Sequence, residues 1–142
     1  MLSRKLKILH VEDDQDIVEI TRLSLSLSGH IDIEQCSSPK EALEFANHNQ
    51  VDALLLDVVL PDMGGEVLLQ ELRKLAKYAH TPAIFMTARA QENDRKALIK
   101  AGGIAVILKP FDPLTLSEQI MYALAPFEPM LVSTEVINHM HE

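Results

Sequence analysis

The run Ala53-Leu-Leu-Leu-Asp-Val-Val-Leu-Pro61 sets one carboxylate, Asp57, inside a stretch of leucines and valines. A short apolar run with β-branched residues, closed by Pro61, Gly64 and Gly65, predicts a buried strand over 52–57 with Asp57 at its end. In an open α/β sheet, ligands bind beyond the carboxyl ends of the strands. A carboxylate delivered there is either a helix N-cap or a chemical group. Asp57 alone does not decide between them; the other strand ends bear on the choice.

Toward the N-terminus, 6–11 reads as a strand that runs straight into Glu12-Asp13-Asp14. Helical spacing follows over 15–28, with Ile17, Ile20, Leu23 and Leu27 on one broad face and Gly29 as a C-terminal cap. Residues 31–36 alternate apolar and polar, as a strand near a sheet edge does. Ser38-Pro39-Lys40-Glu41 is a capping box with proline at the first helical position. Toward the C-terminus, a third helix is expected over 65–76, with Val67, Leu68, Leu72 and Leu75. A strand is expected over 82–87, a loop over 88–93, and a helix over 94–101 closed by Gly102-Gly103. The fifth strand, 104–108, is broken by Lys109-Pro110, and a fifth helix starts at Asp112-Pro113. Strands alternating with helices argue for a parallel sheet covered on both faces. Pro126 and Pro129 mark a break, so 1–125 reads as the domain and 126–142 as a tail or linker.

A chain of 142 residues, 47% of them hydrophobic, suits one domain with one core. No apolar run reaches the roughly 20 residues of a membrane span, and the start lacks a signal peptide's apolar stretch, so a cytoplasmic location is expected. The single cysteine, Cys36, excludes an intrachain disulfide and reads as a small buried hydrophobe. A net charge of −8 argues against binding a phosphate backbone and favours basic partners or a bound cation.

In a parallel sheet the strand ends share one edge. That edge gathers Glu12 and Asp13 after the first strand, Asp57 after the third, Thr87 after the fourth and Lys109 after the fifth. Each pair of carboxylates at about 4 Å would repel by roughly 4 kcal/mol at an effective dielectric near 20. A divalent cation relieves that repulsion, and a few hard oxygen ligands suit Mg²⁺. Thr87 brings a hydroxyl and Lys109 an ammonium, together a site for an anion carried by Asp57. A carboxylate can attack phosphorus to give an acyl phosphate.

With these stretches in place the sequence resembles the receiver domain of two-component response regulators. The likeness is carried by Ile8-Leu-His-Val-Glu-Asp-Asp14, Leu54-Leu-Leu-Asp-Val-Val-Leu-Pro-Asp-Met-Gly-Gly65, Pro82-Ala-Ile-Phe-Met-Thr-Ala88 and Val106-Ile-Leu-Lys-Pro-Phe111, in that order, over residues 5 to about 124. The resemblance implies a flavodoxin-like, doubly wound five-stranded parallel sheet of order 2-1-3-4-5 with five helices. It implies Asp57 as phosphoacceptor, loaded by a histidine kinase or a histidine phosphotransfer protein. It implies Mg²⁺ held by Asp13 and Asp57, by Glu12 mostly through water, and by the backbone carbonyl of Val59. Thr87 would bond the phosphoryl group and Lys109 would pair with it, the Lys109–Pro110 bond being cis. Val59 and Arg89 stand where the family tunes phosphoryl lifetime. An aromatic switch residue common three positions before the lysine is replaced here by Val106.

Other readings follow from the same residues. Asp14 and Asp16 read as first-turn helix acids, His10 as a packed strand residue, and His139 with His141 as tail residues rather than a zinc site. Asp62 and Gly64-Gly65 read as turn residues. A phosphatase with an aspartyl nucleophile would call for a second acid two residues on, where Val59 stands. A pseudo-receiver that binds without phosphorylation is disfavoured by the complete set of acids, threonine and lysine. The residues after Leu124 are too few for an output domain. The chain is therefore expected either to act alone through contact with a downstream protein or to be a receiver cut from a longer regulator.

Overall fold

The chain is described by a computed structural model that covers residues 5–89 and 91–130. Five strands, β1 (Leu6–Val11), β2 (Ile31–Cys36), β3 (Ala53–Asp57), β4 (Ala83–Thr87) and β5 (Ala105–Leu108), form one sheet of order β2-β1-β3-β4-β5. All four pairings are parallel. The helices are α1 (Gln15–Ser26), α2 (Pro39–His48), α3 (Gly65–Arg73), α4 (Glu92–Lys100) and α5 (Leu116–Leu124). The strand order reverses between β1 and β3, which is where an open sheet of this kind forms its crevice. In register, Val11 pairs with Leu56, so the next residues, Glu12 and Asp57, come side by side. Asp57 in turn pairs with Met86, and Thr87 with Leu108.

Successive strand residues point to opposite faces. A sheet covered on both faces therefore needs unbroken apolar runs, which explains Leu54-Leu55-Leu56. Leu55 joins Leu6, Ile8, Ile84 and Ile107 beneath Leu25 of α1 and Leu116, Ile120 and Leu124 of α5. Leu54 and Leu56 join Leu9, Val11 and Phe85 beneath Leu68, Leu69 and Leu72 of α3, with Ala42 and Ala46 of α2. Each fully buried leucine or isoleucine is worth about 1.5–3 kcal/mol relative to exposure.

The helix starts follow their caps. Asp14 accepts the Asp16 and Ile17 N–H groups at 2.9 and 3.4 Å. Ser38 Oγ accepts the Glu41 N–H at 3.2 Å, while Glu41 reaches back to the Ser37 N–H at 2.9 Å, one residue before the usual capping-box partner. Gly29, at φ +75°, ends the turn after α1.

The face of α1 differs from expectation. Thr21, Ser24 and Leu25 are buried, whereas Ile20, Leu23 and Leu27 are 36%, 47% and 77% exposed. The helix carries two rows of side chains, and packing on β2 and α5 selects the partly polar one. Ser24 can be buried because its hydroxyl bonds the Pro113 carbonyl. Val67 of α3 is likewise exposed, and α3 stops at Arg73, giving way to a 3-10 turn over Ala76–Tyr78. There the Arg73 guanidinium bonds the carbonyls of Tyr78 and Thr81 at 2.8 and 2.5 Å. α4 begins two residues earlier than its pattern suggests, and α5 three later than the Asp112-Pro113 start. Asp112 instead forms a turn, its side chain accepting the Leu114 N–H. A 3-10 stretch over Ala125–Met130 follows α5, and the residues beyond, with His139 and His141, lie outside the described residues.

Candidate functional site

Four of the expected residues meet at the β1–β3 edge. Carboxylate oxygens of Glu12, Asp13 and Asp57 all lie within 4.8 Å of one another. Lys109 Nζ sits 3.0 Å from Glu12 Oε1 and 3.0 Å from Asp57 Oδ1. Glu12 and Asp57 are nearly closed from solvent, and Asp13 is exposed. Asp57 Oδ1 also accepts the Val59 N–H at 3.3 Å. Val59 itself turns a 71% exposed side chain to solvent.

Local backbone features fix this arrangement. The Glu12 N–H donates to the Cys36 carbonyl and Glu12 Oε2 accepts the Asp14 N–H, so the residues after β1 are pinned at both ends. The loop after Asp57 turns through Asp62, at φ +70°, and brings Gly65 back to donate its N–H to the Val58 carbonyl at 2.9 Å. A Cβ on Gly65 would lie 2.3 Å from the Asp57 carbonyl oxygen, so only glycine fits there. The Lys109–Pro110 bond is cis, as expected.

Burial sets the electrostatics. Glu12 is pushed up to about 7, first by burial and then by its hydrogen bond with Asp57, which together outweigh the Lys109 ammonium. Burial alone would lower Lys109, but its bonds to Glu12 and Asp57 outweigh it and hold the ammonium above its usual range. Two carboxylates thus share one cation. The buried acid left under-compensated is Glu12, which takes up a proton near neutrality. Three hard oxygens at this spacing fit a small divalent cation, which would do what the shared lysine does only in part.

Thr87 stands at the neighbouring strand end, 3% exposed, with its hydroxyl accepting the Arg89 N–H at 3.1 Å. Among the described residues no hydrogen bond joins it to Asp57. Arg89 reaches Asp94 at 4.0 Å. Val106 is half-buried on the α3–α4 side of the sheet. Asp16 lies in the first turn of α1 as expected, whereas Asp14 stands one step earlier, as the N-cap, because its side chain accepts the Asp16 and Ile17 N–H groups. Cys36 is half-buried rather than buried, and burial raises its thiol to about 11. Two features escaped the sequence. One is the burial of Glu12 against Lys109. The other is a bond between His10 Nδ1 and Gln35 Nε2, 3.0 Å long, whose only sequence signal is a polar residue at matching places in two adjacent strands.

The response regulator receiver domain family matches residues 8–121. The chain is 37% identical over 112 residues to the "Uncharacterized 14.6 kDa protein in sodA1 3'region" of Leptolyngbya boryana, covering 79% of this chain and 85% of that one. It is 29% identical over 112 residues to the response regulator Rre1 of Synechocystis sp., covering 79% of this chain but only 48% of that protein. The chain thus spans about half the length of that regulator. A crystal structure of a response regulator from Chloroflexus aurantiacus superposes with TM-score 0.79 at 30% identity, over 86% of this chain and 99% of that one. A CheY-like receiver domain from Methanospirillum hungatei gives 0.77 at 31%, over 90% and 99%. With its β2-β1-β3-β4-β5 sheet and an acidic cluster at the switch point, this chain belongs to the response regulator receiver domain family.

Proposed function

We propose that this chain is a phosphoacceptor in a two-component relay. It takes a phosphoryl group on Asp57 from a histidine kinase or a histidine phosphotransfer protein. It then acts in the cytoplasm through a downstream protein, with no contact of its own to nucleic acid or membrane. The observation that carries the reading is Lys109 Nζ at 3.0 Å from both Glu12 Oε1 and Asp57 Oδ1, with Asp13 completing the acidic cluster.

In the transfer, an Asp57 carboxylate oxygen forms a bond to phosphorus while the phosphorus–nitrogen bond of the donor histidine breaks, and the imidazole keeps the electron pair. Lys109 pairs with the charge on the transferred group. Thr87 can keep accepting the Arg89 N–H and still donate its own hydroxyl proton to a phosphoryl oxygen. Glu12, Asp13, Asp57 and the Val59 carbonyl would hold Mg²⁺, which supplies charge neutralisation for the phosphoryl oxygens. The new charge of about −1.5 to −2 biases the loop after Thr87 and the face built by α4, β5 and α5. With Val106 in place of an aromatic residue, that response proceeds without a large ring changing position.

Receiver domains are signalling modules, and Val59 leaves no second acid for phosphatase turnover. Among the described residues no helix is long and apolar enough to cross a membrane. Beryllofluoride with Mg²⁺, followed by fluorine NMR, tests the reading. Wild type is expected to give bound-fluoride resonances and Asp57→Asn none; equal spectra would remove Asp57 from its role.

A further inference from the structure

His10 is fully buried on β1, on the face otherwise filled by Leu6, Ile8 and Leu55. Its register partner on β2 is Gln35, whose side-chain nitrogen contacts both His10 Nδ1 at 3.0 Å and the Val18 carbonyl of α1 at 2.8 Å. A carbonyl only accepts, so this end of Gln35 is the amide NH₂, and His10 Nδ1 must accept as well. An imidazole whose Nδ1 accepts carries its proton on Nε2. That Nε2 is buried and has no partner among the described residues. An unmet buried donor costs about 1–3 kcal/mol. An aliphatic side chain would pack here at no such cost, so stability alone does not account for histidine.

What His10 does is hold Gln35, and Gln35 holds α1. Val18 lies one turn into the helix, its N–H bonded to the Asp14 carbonyl at 2.9 Å. Asp14 in turn is tied to Glu12 Oε2. We infer that His10 and Gln35 form a polar brace that fixes the first turn of α1 against β1 and so positions the Glu12–Asp14 loop for cation binding. This inference rests on the proposed reading of the site and names two positioning residues for it.

The test is Mg²⁺ titration calorimetry on the whole chain, with thermal melts, for wild type, His10→Leu, Gln35→Met and the double variant. Each single variant is expected to weaken Mg²⁺ about tenfold, as loss of outer-shell support does. The double variant should be no weaker than the worse single, because one brace is cut twice. His10→Leu should melt no lower than wild type, and His10→Gln, which restores an acceptor, should bind like wild type. Gln35→Met, at a half-exposed edge position, keeps the test open if His10→Leu does not fold. Unchanged affinity in both single variants, or losses that multiply in the double, would overturn the brace alone. A wild type that binds no Mg²⁺ would overturn the cation site and the brace with it.

Discussion

Lys109 is shared by two buried carboxylates, and the shortfall falls on Glu12, raised to about 7 against an ordinary 4.5. A carboxyl raised on folding contributes stability that is present below about 4.5 and is lost as pH climbs through about 7. His10, lowered from 6.5 to about 3, works the other way, since it costs stability as pH falls below 6.5. The two slopes oppose each other between about 4.5 and 6.5, so the wild-type curve alone hides both. Subtraction separates them. Without divalent cations, the Tm of Glu12→Gln minus that of wild type should grow from pH 5 to about pH 7 and level off above it. A flat difference would mean that Glu12 is compensated in a way its surroundings do not provide. Lys109→Ala should still fold at pH 6, where Glu12 can hold a proton, and should lose Tm more steeply than wild type toward pH 8. Failure to fold even at pH 6 would give Lys109 a structural job. At this scale the sequence made Asp57, Thr87 and Lys109 legible, because the first two end a strand and the third directly follows one. It could not show that Glu12 is the buried acid and Asp13 the exposed one. Adjacent residues in a loop point in directions that only packing fixes.

Helix α1 shows where pattern reading fails. Two rows of side chains lie side by side on it, one through Ile20, Leu23 and Leu27 and one through Thr21, Ser24 and Leu25. Apolarity favours the first, yet the sheet takes the second. The row is chosen by what lies opposite: Ser24 finds the Pro113 carbonyl, and Leu25 enters the core with Ile120 and Leu124. Leu25→Ala should therefore cost about 2–5 kcal/mol. Leu23→Ser and Leu27→Ser, at exposed positions, should stay within about 0.5 kcal/mol in urea unfolding. The reverse ranking would mean that α1 is rotated about its axis. The start signal of α2 served better: Ser38 caps that helix where its chemistry puts it. Gly65 at the start of α3 is under a different constraint, with the Asp57 carbonyl 2.3 Å from any Cβ. Gly65→Ala should thus lower Tm and also weaken beryllofluoride binding, because the clash displaces the backbone that carries Asp57.

Across the whole molecule, a parallel sheet covered on both faces was open to inference because short strand-like runs alternate with helices, whereas the strand order came from the likeness to receiver domains. What topology then supplies is convergence: residues 12, 57 and 109 come from distant parts of the chain and meet only because the order reverses between β1 and β3. Folding therefore assembles the acidic cluster, and the unfolded chain has no equivalent of it. A cation that binds only the folded state must stabilise it. At a hundred times its dissociation constant Mg²⁺ should contribute about 2.7 kcal/mol, or roughly 5–10 °C in Tm for a chain of this size. The shift depends on pH in a fixed direction. Glu12 must lose its proton to face a cation, and that proton leaves near pH 7, so the Mg²⁺-induced rise should be large at pH 8 and small at pH 5.5. Asp57→Asn should abolish most of it at either pH. A rise of equal size in Asp57→Asn, or one that ignores pH, would instead mean that Mg²⁺ only screens a surface of net charge −8. Raising monovalent salt would then reproduce the effect, whereas a site built by the fold must discriminate between the two kinds of ion.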